Sequence, residues 1–326
     1  MSVSPFSHIA VLGAGAWGTA LALASLAAGR KTTLWVREDD VLASIVERGE
    51  NRFLPGVTLP KELIATGDLA QAAKADALLL VVPAQVLHGF ADRLKPLIAP
   101  GTPLVICSKG IEQGSGKLVT EVLAEAAPQA QAAILSGPSF ARDVARGLPT
   151  AVTIAAKGEL AAQLQASLGS ATFRPYASDD LTGVALGGAA KNVYAIACGV
   201  VEGMGLGENA RAALLARSFA ELARLGEALG AKRETLMGLS GLGDLVLTAT
   251  SKSSRNFSFG VALGEGKAPA GALAEGVDTA PALVARAKVV NIEMPIAEAV
   301  ADLLSGALPP GEAVMRLMGR PLKAEK

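Results

Sequence analysis

The stretch VLGAGAWGTA at positions 11–20 sets glycines at 13, 15 and 18, between a short β-rich run at 9–12 and an Ala/Leu-rich run at 17–28. Strand, G-x-G-x-x-G and helix in that order leave the chain few choices. Gly13 permits the tight turn, Gly15 lets the backbone come close to a pyrophosphate, and Gly18 lets the helix lie on the strand, with the helix N-terminus facing the phosphates. The alternative is a glycine-rich turn that binds nothing; the strand and helix on either side weigh against it.

The pattern continues as alternation. Residues 32–36 read as a second strand and 39–48 as a second helix, and buried strands follow at 77–82, 104–107, 133–135 and 151–155 with helical segments between them. Strands that alternate with helices imply parallel βαβ units. After Asp179 and Asp180 the β-branched runs thin out, and long Ala/Leu/Glu/Arg segments take over at 183–203 and 208–230. The expected fold is a Rossmann-type doubly wound parallel α/β sheet in residues 1–182, followed by an all-α domain in residues 183–326. At 326 residues two domains are also the natural expectation from length.

Composition narrows the functional classes. Hydrophobic residues make up 51% and charged ones 18%, which excludes intrinsic disorder. Mean hydropathy is high at +0.40, yet no window holds the roughly 20 uninterrupted apolar residues of a membrane span. The apolar run at 9–29 lacks a basic residue before it, so it does not read as a secretory signal. Lys plus Arg equals Asp plus Glu at 30 each, so no bulk positive field exists for a nucleic acid, and any anion must be held locally. Cys107 and Cys198 are far apart with no metal-ligand spacing, consistent with a reducing cytoplasm and no metal.

Candidate chemistry lies at a few places. About 20 residues past the glycines, where NAD-specific folds carry an acidic residue, stands Arg37, which can pair with a 2′-phosphate; NADPH is therefore expected to be accepted and preferred, although Glu38 or Asp39 could still serve NAD. The two histidines, His8 and His88, are too few and poorly placed for proton transfer. Lysines are the better candidates. Lys191 sits in GGAAKNVYAIACG among small apolar neighbours, where it either snorkels or has its pKa lowered by desolvation toward that of a general acid. Asn192 offers an amide beside it.

Lys109, in CSKGIE, follows a strand at the end where open α/β sheets bind ligands. Gly137 and Ser139 in SGPSF expose donors at the next strand end, with Ser139 as a helix N-cap the plain alternative. The segment GLSGLGD has too many glycines for an ordinary helix, and its Asp244 could hold a substrate hydroxyl or orient a lysine. Ser253, Ser254, Arg255 and Asn256 are all donors suited to a phosphate dianion.

Taken together the chain resembles the NAD(P)-dependent glycerol-3-phosphate dehydrogenases of bacteria. The match runs in order through GAGAWGTALA, LWVRE, NRFLPGVTLP, SKGIE, LSGPSFARDVARGLPTA, KNVYAIACGVVEGMGLGENARAAL and GLSGLGDLVLTATSKSSRN. The resemblance implies reduction of dihydroxyacetone phosphate to sn-glycerol 3-phosphate by NADPH or NADH, feeding phospholipid synthesis. It makes Lys191 the proton donor and places Lys109, Gly137, Ser139, Asp244, Ser254, Arg255 and Asn256 on the substrate. Ala16, Trp17, Arg37, Ala141, Leu273 and Glu275 fall on the dinucleotide, which Lys109 and Arg255 also touch. Ala16 stands where many members have Ser and can offer only its backbone N–H. A homodimer is the default expectation. A related two-domain hydroxy-acid dehydrogenase and a non-catalytic dinucleotide sensor are the competing readings.

Overall fold

The computed structural model describes residues 3–268 and 274–319. Its strands are β1 (His8–Leu12), β2 (Lys31–Trp35), β3 (Ile64–Thr66), β4 (Ala77–Leu80), β5 (Pro103–Ile106), β6 (Gln131–Ser136), β7 (Thr150–Ala156) and β8 (Phe173–Ser178). Helices α1 (Ala16–Ala27), α2 (Asp39–Arg48), α3 (Leu69–Ala72), α4 (Leu87–Leu94), α5 (Val119–Ala126), α6 (Ala141–Ala145) and α7 (Leu160–Leu168) connect them. From there on the described chain is helical: α8 (Leu181–Gly203), α9 (Gly207–Ala228), α10 (Arg233–Met237), α11 (Asp244–Ala249), α12 (Arg255–Gly264), α13 (Glu275–Val289), α14 (Pro295–Leu304) and α15 (Pro310–Met318).

The strands form one sheet in the order β3-β2-β1-β4-β5-β6-β7-β8. The order reverses between β1 and β4, as a doubly wound sheet requires. All pairs are parallel except β6 with β7, which the alternation pattern does not foretell. The link between those two strands holds only the five-residue α6, which packs against α1 and does not cross back over the sheet, so β7 runs antiparallel beside β6. The strands β3 and β8 also went unforeseen. The first has three half-exposed residues and the second alternates Arg174, Tyr176 outward with Phe173, Pro175 inward at the sheet edge, so neither shows a continuous apolar run.

Strand alternation divides the core in two. Ile9, Val11, Leu79, Val105 and Leu135 face the layer of α1 and α7. Ala10, Leu12, Leu78, Leu80 and Ile106 face the other side, where the same apolar cluster runs without a break into α8 and the helices around it. Helix α8 is the axis of the second half. It is long and apolar enough to cross a membrane, but that stretch is wholly enclosed by the rest of the protein, so burial in the core accounts for its composition. Around it α9, α11, α12 and α13 pack in turn.

The tightest of these contacts is α8 on α12. A Cβ placed at Gly260 would lie 3.0 Å from the Gly199 Cα and run into the Ile196 carbonyl oxygen, and Gly264 meets the Gly203 Cα at the same 3.0 Å. Two paired glycines thus bring two backbones together, and the N-terminal end of α12 is delivered next to Asn192. Gly260→Ala is expected to lower stability by about 1–3 kcal/mol through overpacking. Urea unfolding of the variant beside the parent measures it; an unchanged midpoint would mean that the helices separate at no cost.

Candidate active site

Lys109 follows β5 and Gly137 follows β6, both at the carboxyl ends of parallel strands, where the doubly wound sheet opens a crevice. Helix α8 crosses this crevice and carries Lys191, and α11 presents Asp244 from the other side. Just ahead of α11, residues Leu239–Gly243 form a turn of π-helix, the wider winding often found at functional sites. The many glycines of GLSGLGD thus serve a helix of unusual pitch.

The three side chains meet. Lys191 Nζ donates to Asp244 Oδ1 at 2.8 Å, and Lys109 Nζ donates to Asp244 Oδ2 at 2.5 Å. Lys191 also donates to Thr248 Oγ1 at 2.8 Å, and Thr248 in turn donates to Asp244 Oδ1 at 3.2 Å. Lys109 has a second acceptor in the Gly137 carbonyl at 3.3 Å. Asp244 is 1% exposed and Lys191 8%. Lys191 therefore does not snorkel; it is buried and paired.

Burial dominates the titration of Lys191 and lowers its pKa to about 8, with Asp244 pulling it up and the Lys109 ammonium pushing it down. For Asp244 burial acts to raise the pKa, but the two ammonium groups outweigh it and hold the carboxyl below its ordinary value. One carboxylate shared by two lysines leaves an excess of positive charge. The site suits an anionic substrate and a developing oxyanion.

Beside it lies a second polar cluster. Asn256 Nδ2 donates to Asn192 Oδ1 at 2.9 Å, and Asn256 Oδ1 accepts from the backbone N–H of Gly276 at 2.9 Å. Asn192 Nδ2 donates to Glu275 Oε2 at 3.3 Å. Ser254 is the N-cap of α12 and accepts from the Phe257 N–H, so its own O–H proton is still available as a donor. Arg255 is exposed at the first turn of α12. The segment is thus not wholly a surface turn: Ser254 and Asn256 are buried, and Asn256 ties α12 to α8 and α13 while Ser254 caps α12 itself. Ser139 donates to the Gly137 carbonyl at 3.0 Å and is not a helix cap; the N-cap of α6 is Phe140. Leu273 lies outside the described residues.

The glycine loop fits a dinucleotide pyrophosphate. Gly13 has φ +124° and backs onto the Val81 carbonyl, while a Cβ at Gly18 would strike the Gly13 carbonyl, so both are required by the fold itself. Gly15, by contrast, faces open space within 4 Å, which is where a ligand would approach. It caps α1 with no side-chain bond, so the first N–H groups of that helix, at Ala16 and Trp17, are left for an anion. Arg37 is 77% exposed in its side chain and donates to Glu38 Oε1 from Nε at 2.9 Å. Ala141 opens α6 next to α1. His8 bonds to Thr33 Oγ1 and His88 sits half-exposed on α4, both away from the lysines.

Two residues of this region escaped the sequence reading. Thr248 lies four positions after Asp244, on the same face of α11, and that spacing was the available signal. Asn51 donates to the Ala14 carbonyl and to Thr19 Oγ1, both at 2.8 Å, and so braces the glycine loop from behind. Only the fold brings it there.

Residues 8–162 match the family described as NAD-dependent glycerol-3-phosphate dehydrogenase N-terminus, and residues 180–315 match its C-terminus. A glycerol-3-phosphate dehydrogenase [NAD(P)+] from Afipia carboxidovorans is 58% identical over 99% of this chain and 100% of its own. One from Parvibaculum lavamentivorans is 57% identical over 98% of each. The crystal structure of glycerol-3-phosphate dehydrogenase from Coxiella burnetii superposes with a TM-score of 0.92 at 42% identity, covering 97% of this chain and 99% of that one.

The shared carboxylate can be tested by removing it. Asp244→Ala leaves the buried Lys191 ammonium without a counter-charge, and stability at pH 7 is expected to fall by about 3–5 kcal/mol. The loss is expected to be smaller at pH 9, because without Asp244 the Lys191 pKa drops further and the amine is then neutral. Urea midpoints at the two pH values measure both; equal losses would show that no uncompensated lysine charge is involved.

Proposed function

This chain belongs to the NAD-dependent glycerol-3-phosphate dehydrogenase family, and we propose that Lys191 is its general acid, held in place by Asp244 and Thr248. The enzyme reduces dihydroxyacetone phosphate to sn-glycerol 3-phosphate with NADH or NADPH, a reversible hydride transfer whose product feeds glycerophospholipid synthesis. When bound, the reduced nicotinamide supplies the hydride to C2. The chain's own residues supply the proton and the field. The observation that supports this most directly is the buried Lys191 with a pKa near 8, bonded to a carboxylate at 2.8 Å.

As negative charge grows on the C2 oxygen, the Lys191 ammonium donates its proton and is left as the neutral amine, to be reprotonated from solvent. A positioned acid contributes roughly a hundred- to ten-thousand-fold in rate. Lys109 holds the other Asp244 oxygen and adds positive potential at the oxyanion. Gly137 and Ser139 line the crevice beside it. The phosphate goes to the N-terminal end of α12, where Ser254 and Arg255 and the remaining N–H of Asn256 converge with free helix N–H groups.

On the dinucleotide side the proposal takes Gly13, Gly15, Gly18, Ala16 and Trp17 for the pyrophosphate, with Ala141, Glu275, Lys109 and Arg255 as further contacts. Residues 1–182 form the dinucleotide domain and 183–326 the helical one, a division supported by the last strand ending at Ser178 and α8 starting at Leu181. NADPH preference rests on Arg37, whose exposed guanidinium exchanges Glu38 for a 2′-phosphate. A cytoplasmic location fits two free cysteines, and a homodimer is the default assembly by symmetry. The hydroxy-acid dehydrogenase and the sensor are displaced by the family match over both halves of the chain.

Nicotinamide oxidation with dihydroxyacetone phosphate, beside unphosphorylated dihydroxyacetone, tests the substrate assignment: turnover is expected with the phosphate ester only. Lys191→Ala is expected to cut kcat by about a hundred- to ten-thousand-fold while the cofactor still binds; joint loss of both would make Lys191 structural. In the parent, kcat/KM for reduction is expected to fall as pH rises through about 8, because the acid form of Lys191 in the free enzyme is lost, and kcat/KM for oxidation of glycerol 3-phosphate to rise over the same range. For Arg37→Ala, kcat/KM for NADPH is expected to drop with NADH little changed. Equal losses for both cofactors would remove Arg37 from the 2′-phosphate.

A further inference from the structure

Lys109 reaches Asp244 from a segment that belongs to neither strand nor helix, between β5 and α5. A long flexible side chain on such a loop is well placed for catalysis only if the loop backbone is held. The next residue, Gly110, has φ +155°, and a Cβ on it would come within 2.8 Å of the Ala84 Cβ. The loop therefore lies directly against the turn Ala84–Val86 that follows β4.

From that turn a single side chain grips the loop twice. Gln85 Nε2 donates to the Ile111 carbonyl at 2.9 Å, and Gln85 Oε1 accepts from the Gln113 N–H at 2.9 Å. One amide thus replaces a neighbouring strand, satisfying an acceptor and a donor two residues apart. The loop is also hooked to the helical half, because Gln113 Nε2 donates to Asp278 Oδ1 at 3.1 Å on α13. Helix α13 starts at Glu275, which bonds Asn192 next to Lys191. The same post-β4 segment includes Val81, whose carbonyl backs Gly13 of the dinucleotide loop.

We propose that Gln85 is a positioning residue for the reaction: its side-chain amide fixes the 109–113 loop so that the Lys109 ammonium stays on Asp244 beside Lys191, and Gln113 ties that loop to α13. This rests on the reading that Lys109 and Lys191 act at the reacting carbonyl. Both glutamines bond the loop or α13 and not the lysine itself. Each acts through Lys109.

The test is a double-mutant cycle with Gln85→Met, which keeps the length of the side chain and deletes the amide, in the parent and in Lys109→Ala. In the parent, Gln85→Met is expected to lower kcat on the order of tenfold to a hundredfold, the scale set by displacing a catalytic group by about an ångström. The alkaline limb of the pH profile is expected to move upward, since Lys109 depresses the Lys191 pKa and its departure relaxes that effect. In Lys109→Ala the same substitution is expected to cost nothing further. Equal fold losses in the two backgrounds, or an unshifted pH profile, would overturn the proposal and leave Gln85 a structural residue. If Lys109→Ala itself keeps full activity, the reading of Lys109 fails instead.

Should Gln85→Met not fold, Gln113→Ala carries the same cycle, because it removes only the hook to Asp278 and leaves the backbone N–H to Gln85. A severalfold drop in kcat that vanishes in Lys109→Ala supports the proposal; a drop that persists there overturns it.

Discussion

Everything at this site hangs on one buried carboxylate. Asp244 receives a lysine from each half of the chain, Lys109 from the sheet and Lys191 from α8, and a buried carboxylate without such partners would be neutral. Removing three charges from water is costly, and the mutual attraction offsets that cost only when the geometry is good and the remaining hydrogen-bonding groups are satisfied. Here Thr248 and the Gly137 carbonyl each take a second ammonium proton, and the third on each lysine is left for a ligand. The arrangement is a weak source of net stability and a strong source of position. It also concentrates an excess of positive charge in the crevice of a chain that has no net charge.

The packing of the helical half serves that position. Helix α8 carries Lys191 and Asn192, and α12 carries Ser254 to Asn256. The glycine pairs 199 with 260 and 203 with 264 set the two backbones at near-contact distance. Larger residues at the crossing would push the two backbones apart and strain the Asn192–Asn256 bond of 2.9 Å. Apolar close packing and polar registration are therefore the same event. The composition of α8, which looks like that of a membrane segment, follows from being surrounded on all sides by protein.

How legible this was depended on the range of the interactions. The strand-glycine-helix signature announced the dinucleotide fold because all its requirements are local: a positive φ at Gly13, a close approach at Gly18 and open space at Gly15 lie within six residues. Lys191 stood out as a charge among small apolar neighbours, and Lys109 as a residue at a strand end. Their convergence on Asp244 was not legible. It requires contacts 135 and 53 positions apart, for which a single sequence carries no signal. The antiparallel turn-back of β7, the edge strands β3 and β8, and the grip of Gln85 on the 109–113 loop are likewise products of tertiary placement. Ser254 and Asn256 were found for their donors, but their burial and the bonds of Asn256 to α8 and α13 belong to the fold.

The proposed use of a lysine as acid rests on the same balance. In water a lysine is protonated far above neutral pH and is a poor donor. Burial lowers its pKa, and unopposed burial of this degree can reach 5 or 6, where the acid form would be scarce at neutral pH. Asp244 pulls in the opposite direction and Lys109 trims that pull, so the value settles near 8. The protonated form then predominates at pH 7 while the proton is still given up readily, the condition under which a general acid is most effective. The two partners act in opposite directions: Asp244 favours the protonated form of Lys191 and Lys109 disfavours it. On the proposed roles, the loop that carries Lys109 is part of that tuning, and Gln85 and Gln113 act on Lys191 only through the loop they hold.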